Sequence, residues 1–490
     1  MNVLKLVNAQ FIIVLFLLSM LLSINNNTQL SLFVSIASSL LLIVWTKIIN
    51  GNYTNITLLF VVFSTLYGVS GPISVVWGEG LSNLFAGIYN VDAFLISYAI
   101  SNIGLIIGFI IFNLIHYNKQ PDILIDEKNL NSTIHIKEKL FKIGIFLIFF
   151  SSIFELINIL RIGGFTVLFA GKATYQTLIS VLNLTLPSTE FMVIGYSLIG
   201  IYLGTRYLEG GKLKGLRSKV ILFLICSSPF LAIKMILGQR GILISLFLCI
   251  FIGITFFRPL KKVKPKIIIV LLVFYFFLSF LFANRSIVKL IPEDPSLFVD
   301  MAFNQERLVD ALNPGTNEFG AAFGNYVEFY NKYNSNFTPR LGETYVRGLV
   351  LPIPSFIYPG TKPQQVTYEF RDEFFISEAS RGSIAGTGFS SILEAYMNFK
   401  YIGVFLIYLL IGYFLQKCDK FYRNKNLYFM IMYTALFSET IDFHRNAFGT
   451  TFSSVFLTGI LVFIVYLFLN TKKFEEYKGF QPIVSSRGEK

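Results

Sequence analysis

Twelve apolar runs of near-constant length divide this chain, at about 9–24, 30–49, 56–76, 91–115, 140–160, 188–206, 220–237, 241–257, 267–283, 389–415, 427–443 and 449–469. A run of about 20 such residues crosses a hydrocarbon core of roughly 30 Å as a helix, and lipid offers the backbone no partners but its own. The expected fold class is therefore an all-α polytopic membrane protein with about 12 transmembrane helices. Composition agrees: 54% hydrophobic and only 14% charged residues exclude a soluble enzyme. Lys5 precedes the first run as in a signal peptide, yet no small-residue cleavage site follows Ile24, so a retained helix is expected. Three Cys and three His are too few for a disulfide framework or a multi-His metal centre. No metal or cofactor is expected, and Cys226, Cys249 and Cys418 read as buried small hydrophobes.

The net charge of +13 could suggest nucleic acid, but its distribution assigns it to the membrane surface. Lys119, Lys128, Lys137 and Lys139 follow the fourth run, Lys212, Lys214, Arg217 and Lys219 the sixth, Arg258, Lys261 and Lys262 the eighth, and Lys417, Lys420 and Arg423 the tenth. All fall on one side of a twelve-span chain, as do Lys5, Lys47 and the basic tail, whereas loops 25–29 and 77–90 hold no Lys or Arg. The positive-inside rule then puts both termini in the cytoplasm. The expected division is transmembrane helices over 1–283, an extracytoplasmic loop over 284–388, three further helices over 389–470 and a cytoplasmic tail over 471–490. The loop interleaves aromatics such as Tyr326, Phe329 and Tyr345 with charges, which argues for a partly helical segment, with amphipathic helices around 298–312 and 318–333.

Ionisable residues within spans are expensive and mark function. Glu155, Glu190, Lys234, Arg240, Glu394, Glu439 and Asp442 all fall in outer halves or at outer ends, and the inner halves carry little beyond Lys47 and Arg206. This asymmetry points to a site facing outward rather than a transport path. Cations on that side are mainly arginines: Arg240, Arg285, Arg307, Arg340, Arg347, Arg371, Arg381 and Arg445, with Lys362. Guanidinium forks bind phosphate bidentately, so a pyrophosphate is a fitting ligand. Interfacial anchors and structural ion pairs are the alternative for each residue singly.

The second half of the chain, roughly 235–450, resembles the Wzy-type O-antigen and capsule repeat-unit polymerases. The resemblance is carried by Gly238-Gln239-Arg240-Gly241, by Gly342-Glu343-Thr344-Tyr345, by Leu351-Pro352-Ile353-Pro354 with Tyr358-Pro359-Gly360-Thr361-Lys362-Pro363, and by Gly386-Thr387-Gly388-Phe389-Ser390 leading to Glu394-Ala395-Tyr396-Met397-Asn398-Phe399. His444-Arg445-Asn446-Ala447-Phe448-Gly449 keeps the family's late arginine but not its neighbours, and Tyr358 stands where the family often has Trp. The resemblance implies a metal-independent glycosyltransferase at the outer face of the cytoplasmic (inner) membrane. It would move a growing glycan from undecaprenyl pyrophosphate to the next lipid-linked repeat unit, in O-antigen (lipopolysaccharide), capsule or exopolysaccharide synthesis. It also implies a chain-length regulator (Wzz-like) and a flippase (Wzx-like) as pathway partners. A lipid-linked oligosaccharide flippase and an O-antigen ligase are the alternatives; the long outer loop and quiet inner halves speak against the former.

Such a reaction needs cations for pyrophosphate and a base for a sugar hydroxyl. Arg240 is the first candidate cation, beside the outer N-terminus of a span; an ion pair with Glu155 or Glu190 is its structural alternative. Lys234, Arg340, Arg347, Lys362, Arg371 and Arg445 complete the set, Arg340 and Arg347 sharing a face if their stretch is helical. The candidate bases are Glu394, Glu343 and His444, with a buried salt bridge that ties down the outer loop as the alternative for Glu394.

Overall fold

The computed structural model describes residues 3–78, 90–116, 136–170, 174–175, 178, 186–208, 216–257, 260, 262, 265–284, 287–288, 290–312, 318–333, 336–353, 357–358, 360–375, 389–423 and 427–478. Among these the regular structure is entirely helical. Every one of the twelve apolar runs is a helix: α1 Val3–Ile24, α2 Thr28–Asn50, α3 Ile56–Trp77, α4 Val91–Ile115, α5 Lys137–Arg161, α7 Ser188–Leu208, α8 Leu216–Ile236, α9 Arg240–Thr255 and α10 Pro265–Asn284, with a short extra helix, α6 Thr166–Phe169, after α5. After the loop come α17 Ser391–Arg423, α18 Leu427–Arg445 and α19 Phe448–Lys478. Eight helices among the described residues are long and apolar enough to cross a membrane, with shorter apolar helices beside them, as in a polytopic membrane protein.

Helix ends follow local chemistry. Asn55 and Asn90 accept from the Leu58 and Ala93 amides at the starts of α3 and α4, and Gly51 closes α2 in the left-handed region. Between helices, where lipid supplies no hydrophobic drive, small residues and hydroxyls do the joining. Ser19 meets Ser35 at 2.6 Å and Ser23 meets Ser31 at 2.7 Å across α1 and α2. Gly108 and Gly412 let α4 and α17 approach until a Cβ on either would lie 2.2–2.4 Å from a facing carbonyl. At the opposite end from the loop, buried Asp419 accepts from the Ile56 and Thr57 amides, Thr57 Oγ1 and Tyr433 OH, binding α3 to α17 and α18.

The loop is more ordered than its sequence suggests. The helix expected near 298–312 is two pieces, α12 Pro295–Ala302 and α13 Gln305–Leu312, because Asn304 starts a new helix by accepting from the Arg307 amide. The one expected at 318–333 is present as α14 Glu318–Tyr333, but it is not a surface element. Phe323 and Tyr326 are fully buried, and Tyr326 OH lies 2.6 Å from Ser97 Oγ on α4. Phe323 packs edge-on to Phe94 and abuts Gly71 of α3. Three further helices, the short α11 Leu290–Glu293, α15 Glu343–Val350 and α16 Val366–Phe374, complete the described loop.

The tenth span is broken rather than continuous. Within α17, Phe399 and Lys400 leave helical geometry, Lys400 with φ 56° and ψ −150°. A break frees backbone carbonyls that need donors. The loop provides them: Arg340 N and Leu341 N bond to the Met397 and Asn398 carbonyls at 3.1 and 3.0 Å, and the Asn398 side chain accepts from Gly342 N. The first half of α17 thus docks α15 directly.

Candidate functional site

The docking of α15 decides the site. Gly342 adopts φ 88° and caps α15, so Arg340 lies outside that helix while Arg347 lies inside it. The condition for a shared helical face, one helix through both arginines, is therefore not met. The two arginines converge all the same, because the Glu369 carboxylate of α16 takes Arg340 at 2.8 Å on one oxygen and Arg347 on the other. Arg347 also pairs with Glu343, one turn before it. All four side chains are partly exposed.

Gly348 of α15 touches Gly449 at the start of α19 so closely that a Cβ would fall 2.8 Å from its Cα. Beside this contact lies a small, open cleft lined by Thr344, Arg347, Gln364, Gln365, Gly449 and Thr450 among others. The cleft therefore combines a guanidinium, amide side chains, hydroxyls and the first turn of a long helix, a set suited to an anion. Its floor is fixed by Glu394. That carboxylate is buried and accepts from Thr344 Oγ1 at 2.8 Å and from the Phe448 amide at 2.7 Å. Asn398 completes the knot by donating to Thr344 Oγ1 at 2.7 Å. Among the described residues no cation pairs with Glu394: it ties the loop down through neutral donors rather than the salt bridge weighed above.

A second cationic position adjoins the first. Arg445, at the end of α18, holds Asp442 at 2.7 Å and rests on Gly241, next to buried Arg240. Behind them runs a chain of ionisable groups. Glu439 accepts from Ser454 and lies in electrostatic range of Asp442, Glu190 and Arg445, and Glu190 in range of Lys234 and Glu155. Of the two acids weighed as an ion-pair alternative for Arg240, Glu155 instead pairs with Lys234 at 2.6 Å and accepts from Tyr175 OH and Ser188 Oγ. Lys234 is buried in that pair and does not line the cleft.

The remaining candidates lie around this centre. Lys362 donates to the Leu351 carbonyl at 3.0 Å and pins the turn beside the cleft. Arg371 pairs with Asp372 and stands over the Tyr368 ring at 5.5 Å. His444 is buried against the rings of Phe60 and Tyr67, with Nε2 3.2 Å from the Phe60 carbonyl. Arg285, Arg381, Pro354, Pro359 and the Gly386-Thr387-Gly388 stretch lie outside the described residues. Sequence reasoning missed Glu369, Gln364, Gln365 and Thr450. Only the amphipathic spacing of Val366, Phe370 and Phe374 hinted that Glu369 would sit on a docked helix.

Across the whole molecule, no curated protein and no solved structure matches this chain. The sequence model of one family does, over residues 7–478. That match runs from the first helix through the last and takes in every element of the cleft. The chain belongs to the O-antigen polysaccharide polymerase Wzy family.

Proposed function

We propose that this protein polymerises lipid-linked oligosaccharide repeat units at the outer face of the cytoplasmic membrane, moving the growing glycan from undecaprenyl pyrophosphate to the next lipid-linked unit. The observation that carries this reading is the paired seating of Arg340 and Arg347 on one carboxylate at the mouth of the α15–α19 cleft. Glu369 presents two oxygens to two guanidinium groups, as a phosphate would, so a pyrophosphate can replace it without moving the arginines. On this reading the chain crosses twelve times with both termini inside, as the distribution of Lys and Arg supports, and the cleft opens to the outside, where flipped repeat units arrive.

In this mechanism Arg347 and Arg340 hold one pyrophosphate, and Arg445 with Arg240 steadies charge on the departing one. Arg371 and Lys362 shape the rim, and Lys234 holds α8 to α5 through Glu155. A base from the set Glu343, Glu394 and His444 takes the proton of the attacking hydroxyl. Cationic side chains supply the charge neutralisation, so the transfer runs without a metal. The partners are the bilayer, the lipid-linked oligosaccharides and, in the same pathway, a Wzz-like chain-length regulator and a Wzx-like flippase; nucleic acid has no role.

Deletion of the gene followed by electrophoresis of surface glycan tests the reading. Single repeat units without a ladder are expected. An unchanged ladder, or loss of all surface glycan with lipid-linked units trapped inside, would overturn it, the latter in favour of a flippase.

A further inference from the structure

Helix α15 presents three different sides. Thr344 and Gly348 pack inward, on Glu394 and on Gly449 of α19, and Leu351 follows them onto Gly449. Glu343 and Arg347 form a charged edge toward Glu369. The side opposite the packed one is apolar and bare. Val346 and Leu349 recur there at helical spacing, 64% and 50% exposed, and Ile353 extends the stripe into the turn that follows. Leu341, just before the helix, is 78% exposed. Isolated exposed apolar side chains need no explanation, but a stripe on a helix anchored this firmly calls for a cover.

The surfaces next to the stripe say what that cover is. At one end Gly342 lies so near the Phe399 ring that a Cβ would fall 3.1 Å from it. From Phe399, exposed Ile402, Leu406 and Leu410 descend α17 at intervals of three and four residues. At the other end Tyr345 meets Phe448 edge-on at 5.4 Å, and Phe448, Phe452 and Phe456 stack down α19 at 5.5 and 6.1 Å. Phe456 and Ile460 are exposed in their turn. Bare apolar stripes along spanning helices face hydrocarbon, so the stripe on α15 continues the lipid-facing surface of two spans.

The depth agrees. Beyond its break α17 runs from Tyr401 to Arg423, about 34 Å at 1.5 Å per residue against a hydrocarbon core of roughly 30 Å. With Lys417 and Lys420 near the cytoplasmic end, Tyr401 falls at the outer boundary, where interfacial tyrosines collect. Leu341, whose amide bonds the Asn398 carbonyl, lies beside that boundary, and Arg340 directly precedes it.

We propose that α15 lies in the plane of the outer leaflet, with Leu341, Val346, Leu349 and Ile353 among acyl chains and the Arg340–Arg347 pair at the depth of the lipid phosphates. An in-plane amphipathic helix sinks its apolar face about 5–10 Å into the boundary between headgroups and acyl chains. The partner is the leaflet itself, and the anchorage goes beyond the polymerase reading. Only its use rests on that reading: a lipid-linked pyrophosphate travels at the same depth, so the arginines meet it without lifting it from the leaflet.

The test uses full-length protein in phospholipid nanodiscs, with a bimane label attached after Val346→Cys, Leu349→Cys or Ile353→Cys. The native cysteines Cys226, Cys249 and Cys418 are buried, and Phe456→Cys supplies the reference for a lipid-facing position. A nitroxide on the phospholipid acyl chains should quench the α15 labels to within a few-fold of the reference, and aqueous iodide should quench them weakly. Strong iodide quenching without nitroxide quenching overturns the proposal. Disulfide cross-links between copies of the Leu349→Cys protein, in place of nitroxide quenching, overturn it in favour of a second copy on this face. Unaltered protein gives a readout that no substitution can disturb. A phospholipid with a photoreactive diazirine in its acyl chain should leave adducts within 341–353, and their absence there while α17 and α19 are labelled overturns the proposal. None of these measurements reads chain extension, so wild-type protein that extends no glycan would remove the polymerase reading and leave the anchorage standing.

Discussion

Arg445 lays its guanidinium on the backbone of Gly241: a Cβ on that glycine would fall 2.5 Å from Nη2 and 3.0 Å from Cζ. Gly241 sits in the first turn of α9, directly after Arg240, so the contact brings the late arginine against the Gly-Gln-Arg-Gly segment. Two stretches some two hundred residues apart thereby form one cationic surface.

Gly241→Ala should therefore remove chain extension. Within a helix, alanine is favoured over glycine by up to about 1 kcal/mol, so intrinsic propensity alone argues for a stabler protein. The clash with Arg445 argues for a displaced guanidinium. The expected result is a folded protein in the membrane and cells that display single repeat units; a normal ladder would detach Arg445 from the site.

Arg347→Ala should weaken use of the lipid-linked substrate. A hydrogen bond to a charged group contributes about 1.5–3 kcal/mol, or roughly ten- to hundredfold in binding. Arg347→Lys should recover little, because it keeps the charge and loses the fork that meets Glu369 and Glu343. Direct binding of a fluorescent lipid-linked unit to the three proteins measures both effects.

Glu394 separates structure from chemistry through its amide variant. Glu394→Ala strips an acceptor from the Phe448 amide and the Thr344 hydroxyl. Each buried donor left without a partner costs about 1–3 kcal/mol. Glu394→Gln retains one acceptor oxygen and should fall well short of the alanine variant in both thermal destabilisation and lost activity. Equal and complete inactivation of the two, with Gln still folded, would make Glu394 the base.

Lys234 and Glu155 form a buried pair whose disruption should show as stability rather than specificity. Removal of one partner from a buried pair costs about 3–5 kcal/mol, whereas replacement of both is far milder. Lys234→Met should therefore lower the melting temperature in detergent sharply. Lys234→Met with Glu155→Gln should regain part of the loss, and a failure to regain any would deny the pairing.

The contact between α14 and α16 should be pH-dependent. Burial pushes the Glu373 carboxyl up, but bonds from Tyr333 and Lys332 outweigh it and leave the group below its ordinary value of 4.5. Glu373 in turn holds Lys332 above its ordinary 10.5. A lowered carboxylate stabilises above its ordinary value and loses that contribution as pH falls through the lowered one; the raised lysine stabilises below 10.5 and loses its share as pH rises past that value. Protection of the 318–333 amides, as exchange relative to the intrinsic rate at each pH, should thus be greatest at intermediate pH and weaker in acid and in strong base. Both side chains are partly exposed, so high salt should flatten the dependence.

Much of this was readable along the chain. Twelve apolar runs became helices because lipid-compatible length and backbone self-satisfaction are local properties. Arg240, Arg340, Arg347 and Arg445 were recognisable as a set, because charges too costly for a membrane core stand out against 54% hydrophobic residues. The partners were not. Lys234 and Arg240 lie six positions apart with similar surroundings, and nothing local says that Glu155 takes the first.

What the sequence determined by itself is the class of protein, the family and the inventory of charges, since each depends on composition, run length or motif. The tertiary structure alone decided that α14 is buried within the bundle, that α17 breaks at Lys400, and that Glu369 and Gly241 draw distant arginines into place. Those outcomes depend on which surfaces meet across the fold, and such meetings are settled by packing and by the satisfaction of buried polar groups, not by neighbours in the chain.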